Sequence, residues 1–88
     1  MKQKIKNKIP EKQPLLLDIG FGNSIVKKRI VAIIAYDSDP VIRHCKDVEK
    51  EAKIIDATKG RKTKTAIFLE NGQIVLSAQN RETINDKF

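Results

Sequence analysis

The sequence predicts one small α+β domain. Short apolar segments rich in β-branched residues alternate with turn residues along most of the chain, which is typical of strands. One central segment instead has apolar residues three and four positions apart, which indicates a single main helix. The chain has 88 residues, enough for one domain only. The predicted order is β-β-β-α-β-β-β, a small and mostly antiparallel sheet with one main helix and a short C-terminal helical turn.

Three strands are predicted before the helix. Residues 15–19 form the first strand, and Gly20-Phe21-Gly22-Asn23 ends it because Gly and Asn accept positive φ angles at little cost. Residues 24–26 form the second strand. After the charged connection Lys27-Lys28-Arg29, residues 30–35 form a third strand, which is almost entirely apolar and is therefore expected to be buried on both faces.

The main helix is predicted to begin at Asp37-Ser38-Asp39-Pro40. Asp and Ser cap free backbone N–H groups, and Pro is favoured at the first helical position. The helix is predicted to run to about residue 52, because one apolar stripe continues to that point. The stripe consists of Val41, Cys45, Val48 and Ala52.

Three more strands are predicted after the helix. Residues 54–58 form the fourth strand and lead into the basic loop Lys59-Gly60-Arg61-Lys62. Residues 64–70 and 73–78 form the last two strands. They are joined by Asn71-Gly72, which is the strongest short hairpin signal in a sequence.

The two ends of the chain differ in character. Residues 1–14 contain five lysines and one glutamate, so they carry +4 of the formal net charge of +7 and are predicted to form a flexible basic arm. Residues 15–88 are predicted to form the single folded domain. At the end of this domain, Asn80 is expected to cap a short helix over residues 81–86.

The predicted hairpin has two apolar faces. A two-residue turn would pair Leu69 with Ile74 on one face. It would place Phe68 opposite Val75 on the other face. Since one helix can cover only one face, the second face is expected to lie against another copy of the chain. A sheet that folds over into a small closed barrel is the alternative.

The residue types do not favour catalysis. His44 and Cys45 are the only His and the only Cys, and adjacent helical residues point in different directions. A nucleophile held by a base is therefore not expected. A structural zinc site needs four ligands, usually several Cys or His. The sequence thus predicts a protein that is not an enzyme and that needs no cofactor or metal.

The same composition indicates a cytoplasmic protein. A single cysteine allows no internal disulfide, which fits a reducing compartment. The longest apolar run, residues 30–36, is far shorter than the roughly 20 residues needed to span a bilayer. No secretory apolar core follows the basic N-terminus. A cytoplasmic, nucleoid-associated location without a membrane partner is therefore expected.

Two basic clusters are predicted to lie in loops. Phosphate contacts need cations that reach outward, and Arg adds a planar fork that can bind a phosphate or a guanine edge with two hydrogen bonds. Binding to a nucleic acid is therefore predicted, with solvated loop charges as the alternative. RNA is the less favoured partner because aromatic residues make up only 5% of the chain. The clusters consist of Lys27, Lys28 and Arg29, and of Lys59, Arg61, Lys62 and Lys64.

Three motifs occur in order along the chain. The first is Asp18-Ile19-Gly20-Phe21-Gly22-Asn23, followed after five residues by Arg29-Ile30. The second is Ile54-Ile55-Asp56-Ala57-Thr58-Lys59-Gly60-Arg61-Lys62-Thr63, and the third is Ile74-Val75-Leu76-Ser77-Ala78 with Glu82-Thr83 after it. With this spacing, from about Leu16 to Ile84, the sequence resembles the RemA-like family of extracellular matrix regulatory proteins.

The resemblance implies a specific function. Members of the family are bacterial transcriptional regulators that activate genes for biofilm matrix and, in some members, osmoprotection. The resemblance also implies a homo-oligomer, ring-shaped, that binds double-stranded DNA along a basic rim. A nucleoid-associated protein that compacts DNA with little sequence preference is the alternative, and a structural assembly whose charges serve solubility is a third reading.

The resemblance also assigns the DNA contacts. The DNA-contacting basic positions of the family fall on Arg29, Arg61 and Lys62. Lys62 stands where Arg is frequent in relatives, and a lysine lacks the planar fork through which Arg forms two parallel hydrogen bonds. Lys59 stands where an aromatic residue is common. Supporting phosphate contacts are expected from Lys27, Lys28, Lys59 and Lys64.

Overall fold

The structure, a computed structural model, describes residues 15–88, and the predicted basic arm over residues 1–14 lies outside the described residues. The described part contains six strands and two helices in the predicted order, which confirms the α+β class. The elements are β1 (Leu16–Gly20), β2 (Asn23–Val26), a 3-10 turn (Lys27–Arg29), β3 (Ile30–Ala35), α1 (Asp39–Glu49), β4 (Ile54–Asp56), β5 (Thr65–Leu69), β6 (Ile74–Ser77) and α2 (Arg81–Lys87).

The strands form two sheets. β1 and β2 form an antiparallel hairpin, and the other four strands form a sheet in the order β3-β5-β6-β4. β3, β5 and β6 are antiparallel to their neighbours, whereas β4 runs parallel to β6. A parallel neighbour needs a long crossover, and here the segment through β5 supplies it. Neither described helix has the length and apolar character needed to cross a membrane.

The turn between β5 and β6 occurs where Asn71-Gly72 predicts it, but the predicted two-residue turn is wrong. The N–H of Leu69 donates to the carbonyl of Gln73 (2.9 Å), and the N–H of Gly72 donates to the carbonyl of Leu69 (3.1 Å). Gly72 has a φ of 88°. This is a three-residue loop, in which a tight turn is followed by a glycine in the left-handed region.

The longer loop shifts the hairpin register by one residue. Phe68 therefore lies opposite Ile74, and Ile67 lies opposite Val75. Because side chains alternate between the faces of a sheet, a one-residue shift changes which residues of the two strands share a face. The predicted partners of Leu69 and Phe68 are thus corrected.

Both faces of the four-stranded sheet are apolar, as predicted, and the chain itself covers most of both. The prediction that β3 is buried on both faces is wrong, because β3 is an edge strand with no fully buried residue and Val31 is 69% exposed. α1 packs on one face, and the β1–β2 hairpin and α2 pack on the other. The expectation that this face is covered by a second copy is therefore wrong, whereas oligomerisation itself stays a prediction. The core under α1 contains buried Cys45, Val48, Ala66 and Ile74. The core under the hairpin and α2 contains buried Leu17, Ile19, Ile25, Ala57, Ile67, Val75 and Ile84.

The two helices begin close to their predicted positions. α1 has Pro40 in its first turn, and α2 is capped by Asn80, whose side-chain oxygen accepts a hydrogen bond from the N–H of Thr83 (2.9 Å). α1 ends at Glu49, before the predicted end near Ala52, because Ala52 adopts a left-handed φ of 60° that a helix does not continue through.

Two buried hydroxyl groups form hydrogen bonds near the end of β6, and one of them attaches the β1–β2 hairpin to the main sheet. The Ser77 hydroxyl donates to the carbonyl of Ile19 (2.8 Å), at the point where the β1–β2 pairing is irregular. The Thr65 hydroxyl donates to the carbonyl of Gln79 (2.7 Å). Both hydroxyl side chains are fully buried, so each of these bonds satisfies a group that water does not reach. The turn after β1 is therefore held at the end of the sheet where β6 finishes.

Candidate nucleic-acid interface

Asp56 ends β4 and shapes the start of the second basic loop. Its carboxylate accepts hydrogen bonds from the hydroxyl of Thr58 (2.6 Å) and from the N–H of Thr58 (2.9 Å). These two bonds, first from the hydroxyl and then from the backbone, lower the pKa of the Asp56 carboxyl. The charged carboxylate therefore accepts both bonds and holds the loop at neutral pH. The stability that this carboxylate contributes is lost only as the pH falls through its lowered pKa in the folded state. β4 therefore ends at Asp56 and not at Thr58, where the predicted strand ended.

A tight turn then presents the basic side chains. The N–H of Arg61 donates to the carbonyl of Thr58 (3.0 Å), and Lys59 occupies the left-handed region with a φ of 55°. Lys59, Arg61, Lys62 and Lys64 are all exposed. The four cations predicted for this cluster therefore face solvent on one short loop.

The turn between β1 and β2 lies against this loop. The guanidinium carbon of Arg61 lies 5.6 Å from the centroid of the Phe21 ring, which is within cation–π range. Phe21 was not among the predicted site residues, although an aromatic residue between two glycines in a turn is a signal that could have identified it. A cavity of about 330 Å³ is lined by Gly20, Phe21, Arg61, Lys62, Lys64, Ala78 and Gln79.

The first basic cluster forms a single 3-10 turn. The ammonium group of Lys27 donates to the carbonyls of Lys87 (3.3 Å) and Phe88 (3.0 Å) and lies 5.3 Å from the Phe88 ring centroid. Lys28 is exposed. Lys27 therefore holds the C-terminal segment, and within this cluster Lys28 and Arg29 are the better placed to meet a ligand.

Arg29 forms an exposed ion pair. Its Nη1 lies 3.4 Å from Oε1 of Glu70, and both side chains are more than half exposed. Such surface pairs contribute about 0–1 kcal/mol to stability. Glu70 can therefore be exchanged for another anion at little cost to the fold.

The two basic clusters lie at opposite ends of the four-stranded sheet. The N–H of Glu70 donates to the carbonyl of Arg29 (3.0 Å), and the N–H of Tyr36 donates to the carbonyl of Lys64 (2.9 Å). Arg29 and Lys64 thus flank the two ends of β5. At about 3.3 Å per residue, they are separated by about 20 Å along the strand. This distance corresponds to about six base pairs of duplex DNA.

A groove lies between β2 and β4, on the face of the sheet opposite α1. It has a volume of about 410 Å³. Arg29 lies at one end, and Ala57, which leads into the second basic loop, lies at the other. Of the two clusters, only Arg29 lines this groove, whereas Arg61, Lys62 and Lys64 line the cavity beside Phe21.

His44 and Cys45 do not form a pair. Cys45 is buried under α1, and this burial raises the pKa of its thiol. The His44 ring is instead stacked on Phe68, with centroids 5.8 Å apart. Within residues 15–88, no group of three or more His, Cys, Asp or Glu side chains is placed to hold a metal ion.

Comparison with known proteins identifies the family. The RemA-like family, described as "Extracellular matrix regulatory protein A-like", matches residues 16–88. Relatives named "Putative regulatory protein" include one from Dictyoglomus turgidum, 52% identical over 69 residues that cover 78% of this chain and 81% of the relative. Others come from Thermosipho melanesiensis (47% over 73 residues; 83% and 78% covered) and Nitratidesulfovibrio vulgaris (38% over 73 residues; 83% of each). The chain belongs to the RemA-like family of regulatory proteins.

Proposed function

We propose that this protein regulates transcription by binding double-stranded DNA, and that it activates genes of the extracellular-matrix and biofilm type. The observation that carries the proposal is the convergence of Arg61, Lys62 and Lys64 on one exposed cavity beside Phe21. Exposed cations on one side of a protein are the usual footprint of DNA binding. The buried thiol of Cys45 offers no accessible nucleophile, so the proposal assigns no catalytic step.

The charges of the second cluster are available for phosphates. Among residues 15–88, no ion pair engages Arg61, Lys62 or Lys64. Arg29 would release Glu70 and bind a phosphate of the same duplex. This phosphate would lie about six base pairs from those bound by the second cluster. Lys28 and Lys59 are exposed and add further charge next to Arg29 and Arg61 in the chain, while Lys27 supports the first cluster from its position over Phe88.

Salt dependence tests the proposal directly. Each neutralised phosphate steepens the log–log dependence of affinity on salt by about 0.9. We expect the affinity for a fluorescent duplex two to three helical turns long to fall steeply between about 50 and 200 mM salt. Fluorescence anisotropy measures this change. An affinity that stays flat over this range would contradict the proposal.

Footprinting on genomic fragments then separates the two DNA-binding functions. A transcriptional regulator protects defined sites and binds them more tightly than random duplex, because base contacts add to phosphate contacts. Uniform protection of all fragments would instead support the nucleoid-associated alternative, in which the protein compacts DNA with little sequence preference.

We further propose that the protein acts as a homo-oligomer. Exposed apolar side chains gather at the end of the molecule opposite Phe21, where Leu16 pairs with Val26 and where Val31 and Phe88 line one shallow cavity. Val31 is 69% exposed. Exposed apolar patches usually mark interaction surfaces. We call Leu16, Val26, Val31 and Phe88 the apolar end. If the apolar end of each copy contacted a different surface of the next copy, these head-to-tail contacts would close into the ring that the family resemblance implies.

Light scattering tests the oligomer. Wild-type protein is expected to have a mass several times the 10.0 kDa of one chain. Val31→Glu is expected to lower this mass, because a charge placed in a buried interface is costly. Ile55→Glu is the matched control, since Ile55 is also an exposed apolar strand residue but lies outside the apolar end. A wild-type mass of one chain, or an unchanged mass for Val31→Glu, would contradict the proposal.

A further inference from the structure

Phe21 occupies a backbone conformation that its side chain does not favour. Gly20 and Asn23 pair across the β1–β2 hairpin, so Phe21 and Gly22 form a two-residue turn. Phe21 has a φ of 56° and Gly22 a φ of 78°. Turns with positive φ at both central residues favour Asn or Gly at the first of them. A bulky residue there is a genuine outlier.

The Phe21 ring is not needed for the hydrophobic core. It is 45% exposed, and it belongs to neither of the two buried clusters. The ring instead forms part of the wall of the cavity that contains Arg61, Lys62 and Lys64. A strained residue kept on the surface at a binding site points to a function for that residue.

We propose that Phe21 is an apolar DNA contact, whose ring packs on the sugar and base surface of the duplex while Arg61, Lys62 and Lys64 bind the flanking phosphates. This inference rests on the proposed function, because it requires DNA to bind the side of the protein that carries this cavity. The guanidinium of Arg61 lies 5.6 Å from one side of the ring and still leaves nearly half of the side chain exposed to a ligand.

The two kinds of contact differ in their dependence on salt. A phosphate contact releases counterions, so its loss weakens binding and also makes the salt dependence less steep. An apolar contact releases no counterions, so its loss weakens binding by the same factor at every salt concentration. If Phe21 served only to position Arg61, its replacement would instead make the salt dependence less steep, as the loss of a cation does.

The experiment compares three proteins with wild type on the same mixed-sequence fluorescent duplex over a series of salt concentrations. Phe21→Asn is expected to weaken binding roughly tenfold at each concentration, the loss typical of one aromatic anchor, with an unchanged slope. Arg61→Gln is expected to lower the slope by about 0.9. Lys59→Asn is the matched control, because Lys59 has the same left-handed conformation in the neighbouring turn but carries a charge. It is expected to lower the slope.

Thermal melts distinguish a lost contact from a damaged fold. Phe21→Asn is expected to raise the melting temperature, since Asn accepts the left-handed conformation better than Phe does, while DNA affinity falls. An unchanged affinity, or a lowered slope like that of Arg61→Gln, would overturn the role of Phe21 and leave the proposed function standing. Failure of the wild-type protein to bind the duplex would overturn the proposed function and this inference together.

Discussion

Replacing Arg61 and Lys62 together by alanine is expected to weaken duplex DNA binding by about a hundredfold, because two phosphate contacts worth about 1.4 kcal/mol each are lost. The slope of the salt dependence should decrease by about 1.8 at the same time. Both side chains are exposed, and no ion pair in the described part of the chain engages them. The free energy of unfolding should therefore change by about 0.5 kcal/mol or less.

The matched control for this pair lies on the other side of the sheet. Arg43 and Lys46 are exposed on α1, which covers the face opposite the β1–β2 hairpin. Their replacement by alanine removes the same charges. A gel shift with a thermal melt compares the two double variants. Equal weakening by both would show that binding follows net charge alone, and a large loss of melting temperature in the first would show that Arg61 or Lys62 is structural.

Arg29→Ala tests the first basic cluster. We expect weaker DNA binding with an almost unchanged melting temperature, because the ion pair with Glu70 is exposed and contributes little. Glu70→Ala is the natural comparison, since it removes the same ion pair but leaves the cation. If both variants weakened binding equally, the ion pair and not the Arg29 charge would be the important feature.

Leu17→Ala is expected to lower the free energy of unfolding by about 2–5 kcal/mol. Leu17 is only 1% exposed and packs in the core between the β1–β2 hairpin and the four-stranded sheet. For a domain of this size, each kcal/mol shifts the melting temperature by roughly 4–8 °C. The variant should therefore melt at least about 8 °C below wild type.

The neighbouring Leu16 provides the control for this prediction. It has the same side chain in the same strand but is 53% exposed, so Leu16→Ala should change stability by about 0.5 kcal/mol. Because Leu16 belongs to the apolar end, both melts are compared at a concentration where light scattering gives the two variants the same mass. Equal and small effects would show that the hairpin does not cover this face of the sheet.

Local sequence patterns are sufficient to identify most elements of this fold. The β-branched run Ile30–Ala35 forms a strand, Pro40 lies in the first turn of α1, and Asn80 caps α2 as its residue type predicts. These features depend on backbone preferences of a few adjacent residues. The presence of the two basic clusters in turns follows from the same kind of local signal.

The hairpin register could not be obtained in this way. Asn71-Gly72 is compatible with a two-residue turn and with the three-residue loop that the structure contains. The choice is made by packing, because the observed register buries Ile67 and Val75 under the β1–β2 hairpin and Ala66 and Ile74 under α1. A shift of one residue would instead place Val75 on the same face as Ala66 and Phe68.

The arrangement of the candidate site also depends on the tertiary structure. Residue type alone marks Arg29 and Arg61 as cations able to bind phosphate, but their placement at opposite ends of the sheet follows from the strand order β3-β5-β6-β4. Phe21 and Arg61 are 40 positions apart in the sequence. They lie close together in the structure because the buried Ser77 hydroxyl attaches β1 to β6. Short-range preferences select turns, strands and caps, whereas contacts between distant residues arise only when the two cores are packed.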